Sequence, residues 1–78
     1  MTKKHFQSEI RRAETLKRLA DEPGQADYYA GYIRGLRRAF HGENFGTIEE
    51  HNKLCSLVND EDKSRKQRGL GYLAGLNF

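Results

Sequence analysis

The hexapeptide GYIRGL, Gly31 to Leu36, returns near the end of the chain as GYLAGL, Gly71 to Leu76. Both copies set two glycines four apart inside an apolar helical pattern. Around the first copy, Tyr29, Ile33, Leu36 and Phe40 recur at intervals of four, three and four, flanked by Tyr28, Tyr32 and Ala39. One broad stripe is therefore apolar, and Arg34, Arg37 and Arg38 fall beside or opposite it. Glycine in a helix interior costs about 1 kcal/mol relative to alanine, so Gly31 and Gly35 need an offsetting gain. Glycines four apart share one helix face, and the gain they predict is the close approach of a second helix. Upstream, Leu16-x-x-Leu19-Ala20-Asp21-Glu22 matches Leu54-x-x-Leu57-Val58-Asn59-Asp60 with a small offset. Each half then reads as one helical hairpin, either through internal duplication or through chance likeness of short helical segments. The expected fold is all-α: a compact four-helix bundle built from two helical hairpins, with the glycine-bearing helices packed on each other.

Local signals divide the chain into helices over approximately 3–20, 24–41, 47–58 and 62–77. Phe6, Ile10, Ala13, Leu16 and Leu19 or Ala20 mark the inward face of the first. Asp21-Glu22-Pro23-Gly24 ends it, and Pro23 suits the first position of the second helix, so the two become antiparallel neighbours. Gly42 is expected as a left-handed closing residue, with Arg37, Arg38 and His41 near the negative end of the helix dipole. Thr47 and Glu50 have capping-box spacing and Glu49 adds negative charge at the start of the third helix. That helix offers Ile48, His51, Leu54, Cys55 and Val58 to the core. Asn59-Asp60-Glu61-Asp62 breaks it, and Glu61 and Asp62 are placed to pair with Arg65 and Lys66 in the fourth. Phe45, the one large apolar residue between Gly42 and Gly46, is expected to plug the bundle end.

Seventy-eight residues make one small domain, of a size at which a partner or a second copy often adds stability. Tyr28, Tyr72 and Phe78 are more apolar surface than so small a bundle is expected to bury, which keeps a homodimer open. Cys55 is the lone cysteine, so no internal disulfide forms and a reducing compartment is expected. The basic N-terminal residues lead into no apolar run, and no segment has the length of a membrane span; these features predict a cytoplasmic protein. Fourteen basic and eleven acidic side chains give a net charge of +3, which permits contact with nucleic acid without demanding it.

No catalytic or cofactor constellation is evident. His51 and Cys55 stand one helical turn apart, and with His41 or Glu43 they fall short of a four-ligand metal pattern. As a nucleophile, Cys55 beside His51 lacks an evident orienting partner. HGENFGT has neither the lysine nor the strand context of a phosphate-binding loop. The expectation is a protein with no enzymatic activity, no cofactor and no metal.

The central block YYAGYIRGLRRAFHGENFGTIEEH, Tyr28 to His51, resembles that of short proteins encoded by phages and prophages, among them small single-domain inhibitors of bacterial defence of the anti-CRISPR type. The resemblance implies stoichiometric docking on a bacterial defence complex, a protein partner and no turnover. Many such inhibitors are acidic DNA mimics, whereas this chain is basic, which points to an acidic protein surface or a protein–nucleic-acid seam. The first expectation is thus a protein-binding module that uses the interhelical connection and its neighbours. Arg34, Arg37 and Arg38 are its charged anchors, Phe45 is an apolar plug or knob, and Glu43 and Asn44 form a polar rim. The alternative is a small nucleic-acid-binding accessory protein, with Lys63, Arg65, Lys66 and Arg68 on phosphates and Tyr28, Tyr29 and Tyr32 available for stacking.

Overall fold

The computed structural model describes every residue from Met1 to Phe78. It is all-α, with α1 over Lys3–Leu19, α2 over Gln25–His41, α3 over Ile48–Ser56 and α4 over Lys63–Leu76. Short 3-10 turns at Gly42–Asn44 and Leu57–Asn59 follow α2 and α3. Three of the four helices start at a side-chain cap that satisfies an otherwise unpaired backbone N–H. Thr2 Oγ1 accepts from the N–H of His5 at 3.1 Å, Thr47 Oγ1 from that of Glu50 at 3.1 Å, and Asp62 Oδ2 from that of Arg65 at 2.9 Å. No helix is long and apolar enough to cross a membrane.

α2 and α4 form the centre, and they meet through glycine. A Cβ on Gly31 would collide with the carbonyl oxygen of Arg68 and lie 3.0 Å from the backbone nitrogen of Tyr72. On the facing helix, a Cβ on Gly71 would collide with the carbonyl oxygen of Tyr28 and lie 3.0 Å from the nitrogen of Tyr32. Gly35 and Gly75 abut each other, facing Tyr72 and Leu76 from one side and Tyr32 and Leu36 from the other. Each contact thus has its counterpart when the two GYxxGL segments are exchanged, so an approximate two-fold axis relates α2 to α4. Moving from Gly31 to Gly35 also moves the contact forward along α4, which means that the inner helices run in the same sense.

The outer helix of each hairpin is fastened to the tyrosine of its repeat. The hydroxyl of Tyr32 donates to Glu9 on α1, whose carboxylate also accepts from Arg12 Nε at 2.9 Å. The hydroxyl of Tyr72 lies 2.7 Å from His51 Nδ1 on α3. Phe6, Ile10 and Ala13 of α1 join Tyr32, Ile33 and Leu36 of α2 in the main core cluster, with Phe40 and Ala74 packed against it. On the other side, Gly69 brings α4 onto the end of α3: a Cβ there would lie 2.8 Å from the Val58 nitrogen and 3.0 Å from the Leu54 carbonyl oxygen. The molecule measures 35 × 30 × 16 Å. Since a helix with its side chains is about 10–12 Å across, this bundle is flattened and its broad faces lie close to the inner helices.

Several local expectations are corrected. Pro23 lies in the turn rather than opening α2, because Gly24 takes the capping position with φ of 87° and Gln25 starts the helix. Gly42 has the expected positive φ, 65°, but its ψ of −143° lies outside the left-handed helical region and the chain continues into a 3-10 turn. Leu19 is 69% exposed and Ile48 is 56% exposed, each at the end of its helix, while Ala20, the alternative to Leu19, is half-buried. Tyr72 is 2% exposed and belongs to the interior; Tyr28 is half-buried, and Phe78 remains exposed. The expected pairs from Glu61 and Asp62 are replaced: Asp62 caps α4, and Arg65 reaches Asp60 at 3.0 Å.

Candidate functional site

The expected binding residues separate into three groups. The first surrounds Phe45, which is half-buried beneath the Arg34 guanidinium, 4.7 Å from its ring centroid. Arg38 Nη1 donates to the Phe45 carbonyl oxygen at 3.1 Å, and Arg34 Nε donates to Glu50 Oε1 at 3.0 Å. Phe45 also continues an aromatic chain: Phe6 stacks on Phe40 at 4.2 Å, His41 sets its edge against both, and Phe45 lies 6.3 Å from His41. Phe45, Arg34 and Arg38 therefore bolt the connection to the bundle end, as the plug reading anticipated. Glu50 is drawn into this arrangement, so only the threonine half of the capping box forms.

Glu43 and Asn44 make up the second group, exposed at the tip of the 3-10 turn. Neither takes part in an ion pair or a side-chain hydrogen bond within the chain.

The third group was not anticipated as a unit. Arg34 and Arg37, expected in one surface, and Arg65 and Arg68, expected in another, line the same open groove of about 540 Å³. Lys17 of α1 and Lys53 of α3 complete a set of six cationic side chains, with Glu50 the one acid in the lining. Ala30, Ile33, Leu54 and Leu57 supply the apolar floor. A neighbouring depression shares Lys17, Ile33 and Arg37 and is walled by Glu14 and Arg18, so the trough extends between α1 and α2. Lys63 does not line the groove; it faces a small depression beside Gly24, Tyr28, Tyr29 and Gln67. Lys66 is exposed and does not line it either.

Several groove arginines already hold carboxylates. Arg68 reaches Asp27 at 3.1 Å, Arg65 reaches Asp60 at 3.0 Å, and Arg37 stands 3.9 Å from Glu14. Arg65, together with the backbone N–H of Asp62, holds the Asp60 carboxyl below its ordinary range. All these pairs are solvent-exposed in part, so each contributes little to stability and exchanges readily. Lys17 and Lys53 make no ion pair in the chain. The lining contains no aromatic ring, and Tyr28, Tyr29 and Tyr32 do not border it. Of the cations named for the nucleic-acid alternative, Arg65 and Arg68 line this tyrosine-free groove, while Lys63 shares its own depression with Tyr28 and Tyr29.

Outside the groove, Cys55 Sγ lies 3.8 Å from His51 Nε2, while His51 Nδ1 meets the Tyr72 hydroxyl. The orienting partner that was missing from the sequence is thus Tyr72, from a different helix. Burial pushes the Tyr72 hydroxyl above its usual pKa, so it remains neutral and serves as a tether between α3 and α4. No three His, Cys, Asp or Glu side chains converge in an arrangement able to hold a metal ion.

Lys17, Lys53, Ala30 and Leu57 are the groove residues that sequence reasoning did not select. Lys53 precedes Leu54, and Leu57 lies one turn beyond it, so a helical projection of α3 was the available signal. It became informative only once the glycine crossing fixed which face of α3 meets α4. Compared with known proteins, the chain matches no family model, no curated protein and no solved structure.

Proposed function

We propose that the protein is a non-enzymatic docking module that binds a protein partner in stoichiometric fashion through its cationic groove. The observation that carries this reading is the gathering of six cations from four separate helices around an apolar floor. Such a surface combines charge steering with desolvated contact area, which is the pattern of a binding interface rather than of a solvated helix face. The resemblance of Tyr28 to His51 to small phage-encoded proteins suggests the setting: inhibition of a bacterial defence complex in the host cytoplasm. The connection at Phe45 serves the architecture, with Glu43 and Asn44 available as a secondary rim.

The test is retention of a partner from nuclease-treated lysate of infected bacteria, using the tagged chain and its Arg37→Glu, Lys53→Glu double variant. A protein held at near-stoichiometric amount by the wild type and released by the variant is the expected result. Recovery of nucleic acid alone from untreated lysate, with no protein retained after nuclease, would overturn the reading in favour of the accessory nucleic-acid role.

A further inference from the structure

We infer that the groove receives an acidic amphipathic helix of the partner, its apolar stripe on half-buried Ala30 and Leu57 and the small exposed parts of Ile33 and Leu54, and its carboxylates along both edges. This inference rests on the docking-module reading and specifies what is docked. Arg34 and Arg37 on α2, and Arg65 and Arg68 on α4, give each inner helix a pair of cations one turn apart on the groove. A helix with acidic residues at three- and four-residue spacing on either side of an apolar stripe presents carboxylates at the same pitch. An extended strand, with side chains alternating every second residue, turns half of them away.

The existing ion pairs favour carboxylate as the incoming group. Asp27 and Asp60 already sit on Arg68 and Arg65, and a partner's acidic residues enter by exchanging for them. The exchange costs little because the pairs are exposed: the arginine side chains are 49% and 63% accessible. Lys17 and Lys53 contribute free positive charge. A phosphodiester strand matches the charge but leaves the apolar floor uncovered and finds no ring on which to stack a base.

Four probes test this by titration calorimetry and amide chemical-shift mapping of the intact chain. They are a helical peptide of roughly four turns with a leucine stripe flanked by glutamates, the same peptide with lysine for glutamate, a glutamate-rich peptide of equal charge without the leucines, and a single-stranded oligonucleotide of equal charge. The first is expected to bind at least about tenfold more tightly than the others, with a negative heat-capacity change. Its shifts should centre on Ala30, Ile33, Leu54 and Leu57. Arg37→Glu with Lys53→Glu, both at exposed side-chain ends, should weaken it by about tenfold or more while leaving the dichroism spectrum unchanged. Equal binding by the leucine-free peptide, tighter binding by the oligonucleotide, or shifts centred elsewhere would overturn the inference. If the acidic helix fails while the lysate partner is retained and released by the double variant, this inference alone falls. If no protein is retained, the docking-module reading falls with it.

Discussion

The two hairpins share an inner helix pattern and differ in what covers it. In the first, α1 is seventeen residues long and buries Phe6, Ile10 and Ala13 against α2. In the second, α3 is nine residues long and buries only Leu54. Correspondingly, Tyr32 ties α1 through a carboxylate that is itself braced by Arg12, whereas Tyr72 ties α3 through an imidazole. Gly69 has no equivalent in the first hairpin, where Tyr29 stands at the matching position. The close approach that it allows between α4 and the end of α3 supplies contact that the short helix lacks in side chains. Near-symmetric helices can thus be completed in two ways: by a long apolar face, or by a short helix drawn in against glycine.

The largest expected effect tests whether the central crossing is symmetric. Gly31→Val and Gly71→Val each drive a side chain into a facing carbonyl, and each should destabilise the fold by on the order of 3–5 kcal/mol. Thermal unfolding followed by circular dichroism reads this; a markedly milder loss for one of the two would break the two-fold equivalence.

Next is an alkaline effect that belongs mainly to the first hairpin. Burial, and then the neighbouring Glu9 carboxylate, push the Tyr32 hydroxyl up to about 12. Its ordinary value is about 10, so the stabilisation is complete below pH 10 and is lost as the pH rises toward 12. The loss should be on the order of 2 kcal/mol, measured by urea unfolding across that range. Tyr32→Phe should flatten this limb more than Tyr72→Phe does.

At neutral pH the order is kept. Tyr32→Phe should cost about 1.5 kcal/mol because the Glu9 carboxylate loses a donor, while Tyr72→Phe should cost about 1 kcal/mol because His51 Nδ1 loses its partner. Equal losses would mean that the two tethers are interchangeable. The smallest effect is expected from Arg68→Ala, whose exposed pair with Asp27 spans the inner helices: a change within about 0.5 kcal/mol in stability.

The helices, the two-hairpin plan and the pairing of the glycine-bearing segments were legible because they depend on spacing along one chain. Thr47 declared the start of α3 through its own backbone contact with Glu50. Leu19 and Ile48 misled for the converse reason: their spacing is apolar, but burial depends on what packs over a helix end, which spacing along one helix does not encode. The groove was legible only in pieces. Arg34 and Arg37 were grouped with the Phe45 connection and Arg65 and Arg68 with a separate basic run, since nothing in a linear pattern tells which faces of two helices become adjacent. Tyr72 and His51 were likewise both visible, while their contact across helices was not.

The backbone-to-backbone seam at Gly31, Gly35, Gly71 and Gly75 separates what this chain must keep from what it is free to alter. Methyl groups are too large at those four positions, whereas the groove's charged tips other than Arg34 reach water and bear little on folding. Substitutions along that rim can consequently change the charge of the surface, one position at a time, without altering how the chain closes on itself.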